Sequence, residues 1–257
     1  MNQQHNNRRS QQQRKGKGKV KKTTKEGGRV IKEKFEEQRR DQVNQRPLVA
    51  MNELQKHYID SCRTKDVVLA IGFAGSSKTY IPTRIAIEKF LLGEIKSICI
   101  VRPAVSESKG LGFYAGDKIA KCKNWIMPVL DIFNEYLGAS FVDYLIEQDV
   151  IRPLPLETIK GMSLKDSFII VDESEDLTTK EFVKCVTRIG ENSTMVFAGD
   201  IMQVDIKGDS GLAVGFEMAE EDDNLDWATV NFDRPSDIVR SEAAKDTILA
   251  LRRKGLI

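Results

Sequence analysis

The chain has 257 residues, 40% hydrophobic and 30% charged, enough apolar material for one large core plus a tail. No run of eighteen apolar residues occurs and the N-terminus has no apolar export core, so neither a spanning helix nor secretion is expected. The net charge of +2 hides an imbalance: residues 1–30 carry ten Lys/Arg against one Asp/Glu, leaving 30 against 37 elsewhere.

Residues 1–28 are rich in Gln, Asn, Lys, Arg and Gly. They cannot bury enough apolar surface to offset ordering entropy and read as a disordered basic tail. Such a tail suits salt-dependent contact with RNA or DNA phosphates, or it simply solvates the chain; no aromatic interleaves it, so base stacking there is not indicated. Residues 29–47 read as a charged helix or linker closed by Pro47, and residues 48–257 as the folded domain. Four cysteines, Cys62, Cys99, Cys122 and Cys185, lack CxxC spacing and read as reduced thiols of a cytoplasmic protein. The two histidines, His5 and His57, leave no histidine-rich metal site.

Within the domain, apolar spacing predicts a helix over 51–62, then strand 66–72 and helix 78–92 stopped by Gly93. Strand 96–101 runs into Arg102-Pro103. The segment 109–117, KGLGFYAGD, sets three glycines around Phe113 and Tyr114; packing is favoured over a base-stacking loop. Helices follow within 116–147, with Trp125 in their core. Next come strand 167–172, helix 179–188 behind a Thr178–Glu181 capping box, strand 194–199, strand 226–233, and a helix over 236–253 capped by Ser236. The acidic run Glu220–Asp223 reads as a solvated loop. Strands alternating with helices predict an α/β fold: a mainly parallel sheet flanked by helices.

Three strand ends carry chemistry. Val67–Thr79 reads VVLAIGFAGSSKT, a buried strand, a glycine-containing turn and a helix start. This is the layout of a P-loop, in which backbone N–H groups and a helix N-terminus cradle phosphates. Gly72, Phe73, Ala74, Gly75, Ser76, Ser77, Lys78, Thr79 and Tyr80 would then surround a nucleotide's phosphates. Lys78 would reach the β- and γ-phosphates, and the Thr79 hydroxyl would bind Mg²⁺. The pattern departs at one point: Ser77 stands where glycine usually precedes the lysine, and its Cβ is expected to strain the loop. Phe168–Glu173, FIIVDE, ends in two carboxylates, Asp172 to hold Mg²⁺ and Glu173 to align and deprotonate water. Phe197–Gln203, FAGDIMQ, ends in a neutral amide, Gln203, suited to sensing a γ-phosphate.

The ordered set GFAGSSKTY, IVRPAV, KGLGFYAGD, FIIVDE, TRIG and FAGDIMQVDIKGDSGL, over about residues 48–218, resembles the PhoH family. These are P-loop ATPases related to superfamily I helicase cores, and a phage or bacterial origin would fit. The resemblance implies a RecA-like ATPase domain using ATP and Mg²⁺, with turnover coupled to single-stranded RNA or DNA. It makes Gln55 a reader of adenine's edge, against an ordinary surface glutamine. It makes Arg188 and Arg240 candidate arginine fingers, and places Arg102 near a nucleic-acid path or nucleotide edge, against a structural ion pair. A single RecA-like domain forms half a helicase-type cleft, so a ring-like homo-oligomer, a hexamer for example, is expected. Three departures bear on hydrolysis: Ser76-Ser77 for Thr-Gly, Glu175 where the family has Gln, and Lys160 where it has Arg. Glu175 adds negative charge near the γ-phosphate or turns outward. A nucleotide-sensing or RNA-binding module with little hydrolysis is the alternative, and a P-loop kinase ranks below it.

Overall fold

The computed structural model describes residues 46–103, 126–204, 206 and 208–255. The expectations for the basic tail, the charged helix, Cys122, Trp125 and the 109–117 segment lie outside the described residues. Contacts divide the chain into Met1–Pro47 and Leu48–Ile257, and the second unit is described here.

Six parallel strands form one sheet: β1 (Val67–Gly72), β2 (Ser97–Arg102), β3 (Ile151–Pro155), β4 (Ser167–Val171), β5 (Thr194–Ala198) and β6 (Trp227–Phe232), in the order β3-β2-β4-β5-β1-β6. The α/β fold expected from the alternation is present. Every residue of β1, β4 and β5 is buried, the mark of central parallel strands covered on both faces. β6 lies at one edge, and its burial alternates along the strand. The register pairs Ala70 with Ala198 and Val171 with Phe197, so β1, β5 and β4 end nearly level. That alignment sets the P-loop, Gly199 and Asp172 side by side at the carboxyl edge, where open parallel sheets bind ligands.

Helices α1 (Glu53–Thr64), α2 (Tyr80–Leu92), α3 (Met127–Leu137), α4 (Ala139–Glu147), α5 (Thr179–Val186), α6 (Gly211–Glu221) and α7 (Glu242–Arg253) accompany the sheet. Asn52 caps α1 by accepting from Gln55 N, and Tyr58 of α1 is fully buried with its ring edge-on to Phe232 at 5.5 Å. Gly93 ends α2 in the left-handed conformation, and the Thr178–Glu181 capping box opens α5. Phe182 of α5 packs on Phe197 of β5 at 4.8 Å between ring centroids. Cys62, Cys99 and Cys185 are buried free thiols.

Four elements differ from the sequence expectation. β3 was not expected, because Pro153 and Pro155 cannot donate to a ladder; the strand survives because it sits at the sheet edge. α6 was not expected, and it extends to Glu221, taking in the start of the acidic run. α2 begins at Tyr80 rather than Lys78. The last helix begins at Glu242 and is capped by Ser241, not Ser236, since Pro235–Asp237 forms a separate short turn of 3-10 helix. Among the described residues, no helix is long and apolar enough to cross a membrane.

Candidate nucleotide-binding site

The carboxyl edge of the sheet opens into a cavity of about 520 Å³. Ala74, Gly75, Ser77, Lys78, Thr79 and Tyr80 supply its P-loop wall. Asp172, Glu173 and Glu175 approach from β4, and Gly199, Asp200 and Gln203 from β5. Ten of the residues expected from sequence therefore meet here, counting Arg240, which also lines the space. The decisive contact joins strands that are not neighbours: Thr79 Oγ1 donates to Asp172 Oδ1 at 2.7 Å across 93 residues of sequence.

Local bonds shape the loop. Lys78 Nζ donates to the carbonyls of Gly72 and Phe73, both at 2.7 Å, and Ser76 Oγ donates to Phe73 O at 2.8 Å. Gly72, Phe73 and Ser76 thus tether the lysine and the loop from behind rather than lining the cavity. Tyr58 Oη donates to Lys78 O at 2.7 Å, fastening α1 to the loop. Ser77 adopts φ 71°, a left-handed conformation that favours glycine, so the expected strain is present. Gly75 sits at φ 81°, and a Cβ there would fall 2.7 Å from Arg240 Cδ. Val239 N donates to Gly75 O at 3.0 Å, so the segment after β6 lies against the loop. Arg252 of α7 stacks over Phe73 at 4.0 Å.

Charge is concentrated in this space. Burial pushes the Lys78 ammonium below its ordinary value, opposed by the carboxylates of Asp200, Glu175, Glu173 and Asp172. Burial likewise raises Asp172, while the Thr79 hydrogen bond acts in the opposite direction. Burial, the nearby Glu173 charge and a hydrogen bond with the Glu173 carboxylate push Glu175 up to about 8. The Glu175 side chain is buried rather than turned outward, and this burial favours its neutral form, which weakens the negative charge expected near the γ-phosphate. Gly199 packs so closely that a Cβ would lie 2.3 Å from Glu175 Oε2.

The remaining candidates fall elsewhere. Gln55 is buried in α1, accepting from Met51 N at 2.9 Å, and its Nε2 has no partner; it does not line the cavity. Arg188 lies beyond α5, where it donates to Thr187 Oγ1 at 3.1 Å, away from the cavity. Arg102 does not line the cavity either, but donates to Glu173 Oε1 at 2.7 Å.

Sequence reasoning missed Asp200, which accepts from Gln203 Nε2 at 2.8 Å and from Met202 N at 3.1 Å, and so fixes the amide at the cavity. Its signal was present in the Gly-Asp pair of FAGDIMQ, where the sequence reading assigns a role to Gln203 alone. Pro128 and Ile132 of α3 also line the space, and nothing local in the sequence marks them.

Thr79 and Asp172 offer two hard oxygen donors, a set that fits Mg²⁺, which usually takes only one or two protein ligands and completes its shell with water and phosphate. Among the described residues, no group of three or more His, Cys, Asp or Glu could hold a metal by itself.

Comparison with known proteins gives the lineage. The profile of the family described as "PhoH-like protein" matches residues 47–252. The chain belongs to the PhoH-like family. The PhoH-like protein of Bacillus subtilis strain 168 is 35% identical over 188 residues, covering 72% of this chain and 58% of the relative. Protein PhoH of Escherichia coli K12 is 32% identical over 215 residues, covering 82% and 60%. The chain thus spans about three-fifths of the length of these relatives. The crystal structure of Bacteroides Pif1 bound to ssDNA aligns over 82% of this chain and 47% of that one, at 10% identity and a TM-score of 0.33, a likeness too distant to carry an argument. Membership of the PhoH-like family and the site geometry together make the domain a P-loop NTPase.

Proposed function

We propose that this chain binds ATP with Mg²⁺ and hydrolyses it, and that turnover is coupled to single-stranded nucleic acid. The observation that carries the reading is the Thr79–Asp172 hydrogen bond, because it brings a P-loop hydroxyl and a strand-end carboxylate to one point in a cavity of nucleotide size. Thr79 and Asp172 would hold Mg²⁺ there, and the ion would neutralise phosphate charge.

The side chains divide the work. Lys78 releases the Gly72 and Phe73 carbonyls and turns its ammonium to the phosphates, exchanging two neutral acceptors for anionic ones. Glu173 orients water and takes its proton, while Gln203, held by Asp200, reads the γ-phosphate. Arg240 lies in its own chain's cavity and is the finger candidate acting within the subunit; Arg188 is the candidate for reaching a neighbour's site in a homo-oligomer.

A second reading has its own support. Ser77 is strained and Glu173 is paired with Arg102, both of which suit a nucleotide-sensing module with little turnover.

The test is phosphate release together with calorimetric Mg²⁺-ATP binding for wild type and Lys78→Ala. Loss of one phosphate-facing lysine should cut turnover on the order of a hundredfold or more. Equal release from both proteins refutes the hydrolytic reading. Tight binding without release in wild type, with or without RNA, selects the sensor.

A further inference from the structure

We propose that Arg102 is a positioning residue that latches Glu173 from outside the nucleotide cavity, and that the phosphodiester backbone of a single-stranded nucleic acid opens the latch by taking the guanidinium. This rests on the hydrolytic reading above and names how that same site is regulated.

Glu173 stands at the border of two spaces. It lines the nucleotide cavity, yet its Oε1 is held by Arg102 Nη2 at 2.7 Å. Arg102 is the last residue of β2 and is not part of the cavity lining. The two side chains are 23% and 44% exposed, so solvent reaches both. An anion arriving from solvent therefore reaches the guanidinium without entering the nucleotide's space. ATP, confined to the cavity, is not the ligand placed to displace it.

The pair has a direct chemical consequence. A carboxylate oxygen committed to a guanidinium is held away from a water molecule, so it cannot align that water for attack. The Glu173 backbone sits at φ 50° in the left-handed region, a strained conformation that its surroundings must hold in place. The fork of arginine donors fits phosphate oxygens as well as carboxylate oxygens, so a phosphodiester competes for Arg102 on equal geometric terms. Among polyanions, nucleic acid is favoured by composition: residues 1–30 carry ten basic side chains against one acidic, while the rest of the chain is acidic.

The experiment compares full-length wild type, Arg102→Gln and Arg102→Lys. Steady-state phosphate release is measured across Mg²⁺-ATP concentration with and without poly(U), and binding of a fluorescent ATP analogue is followed in parallel. Wild type should bind the analogue, turn over slowly alone and accelerate with poly(U). Arg102→Gln should raise basal kcat on the order of tenfold, the effect of losing one charge-assisted hydrogen bond to the base, with KM unchanged and little further response to poly(U). Arg102→Lys, which keeps the charge but loses the fork, should lie between the two and checks the result if the Gln variant folds poorly. Basal kcat at or below wild type in both variants, or full retention of the poly(U) response, overturns the latch. Equal stimulation of wild type by heparin overturns the assignment to nucleic acid. Failure of wild type to bind the analogue would sink the nucleotide reading itself. Normal binding with slower variants sinks the latch alone.

Discussion

Ser77→Gly removes a side chain from a backbone conformation that disfavours one. At φ 71° a non-glycine residue costs about 1–2 kcal/mol relative to ordinary helical or extended angles. Glycine removes that cost but loses about 0.5–1 kcal/mol through greater freedom of the unfolded chain. The main-chain bond from Ile81 N to Ser77 O at 3.0 Å needs no side chain and survives. The net expectation is a gain of about 0.5–1 kcal/mol, a rise in Tm of about 1–4 °C for a domain of this size. Scanning calorimetry without nucleotide measures it, with Ser77→Ala as the control that keeps a Cβ in the strained conformation. A Gly variant that melts below wild type, or an Ala variant that gains as much as Gly, would refute the assignment of strain to the Cβ.

Gly199→Ala should destabilise the fold by about 1–3 kcal/mol, because the new Cβ meets Glu175 Oε2 at 2.3 Å and both Glu175 N and Leu212 Cδ2 at 2.7 Å; urea unfolding gives the difference. Glu175→Gln should change the pH profile of stability. The native carboxyl titrates near 8, whereas the free side chain titrates at 4.5, so between those values the folded state holds a proton that the unfolded chain has released. Stability conferred by the neutral acid is complete below the lower value and is lost as pH rises through the upper one, at no more than about 1.4 kcal/mol per pH unit. Urea midpoints at about pH 5 and about pH 9 should therefore diverge in wild type relative to the Gln variant, and parallel profiles would contradict the burial of an ionisable group here.

The central strands were readable because nothing in them competes with the signal. VVLAIG and SFIIV are buried throughout, and a continuous apolar run ending in glycine or carboxylates has few other uses. The capping box of α5 and the left-handed Gly93 are local devices and appeared where local chemistry put them. β3 was hidden because its prolines argue against a strand unless its edge position is known, and edge position is a property of the assembled sheet. α6 carries Gly211 and Gly215, which lower helix propensity, so its packing against α5 and β6 had to decide the matter.

The site shows the same division. Lys78, Thr79 and Asp172 followed from spacing at two strand ends, while the upward shift of Glu175 comes from burial and the nearby Glu173 charge, which exist only in the assembled site. The partner of Glu173 was equally out of reach, since Arg102 lies 71 residues away and meets it only when β2 and β4 pair.

The placing of β5 between β1 and β4 makes the meeting of Thr79 and Asp172 a property of the whole sheet. Thr79 and Asp172 hang from strands that never touch, so a fragment or partly assembled chain can contain both residues and still have no site. On the proposed reading, nucleotide affinity would therefore gauge complete assembly, and excising β5 should erase it with Lys78, Thr79 and Asp172 left in place.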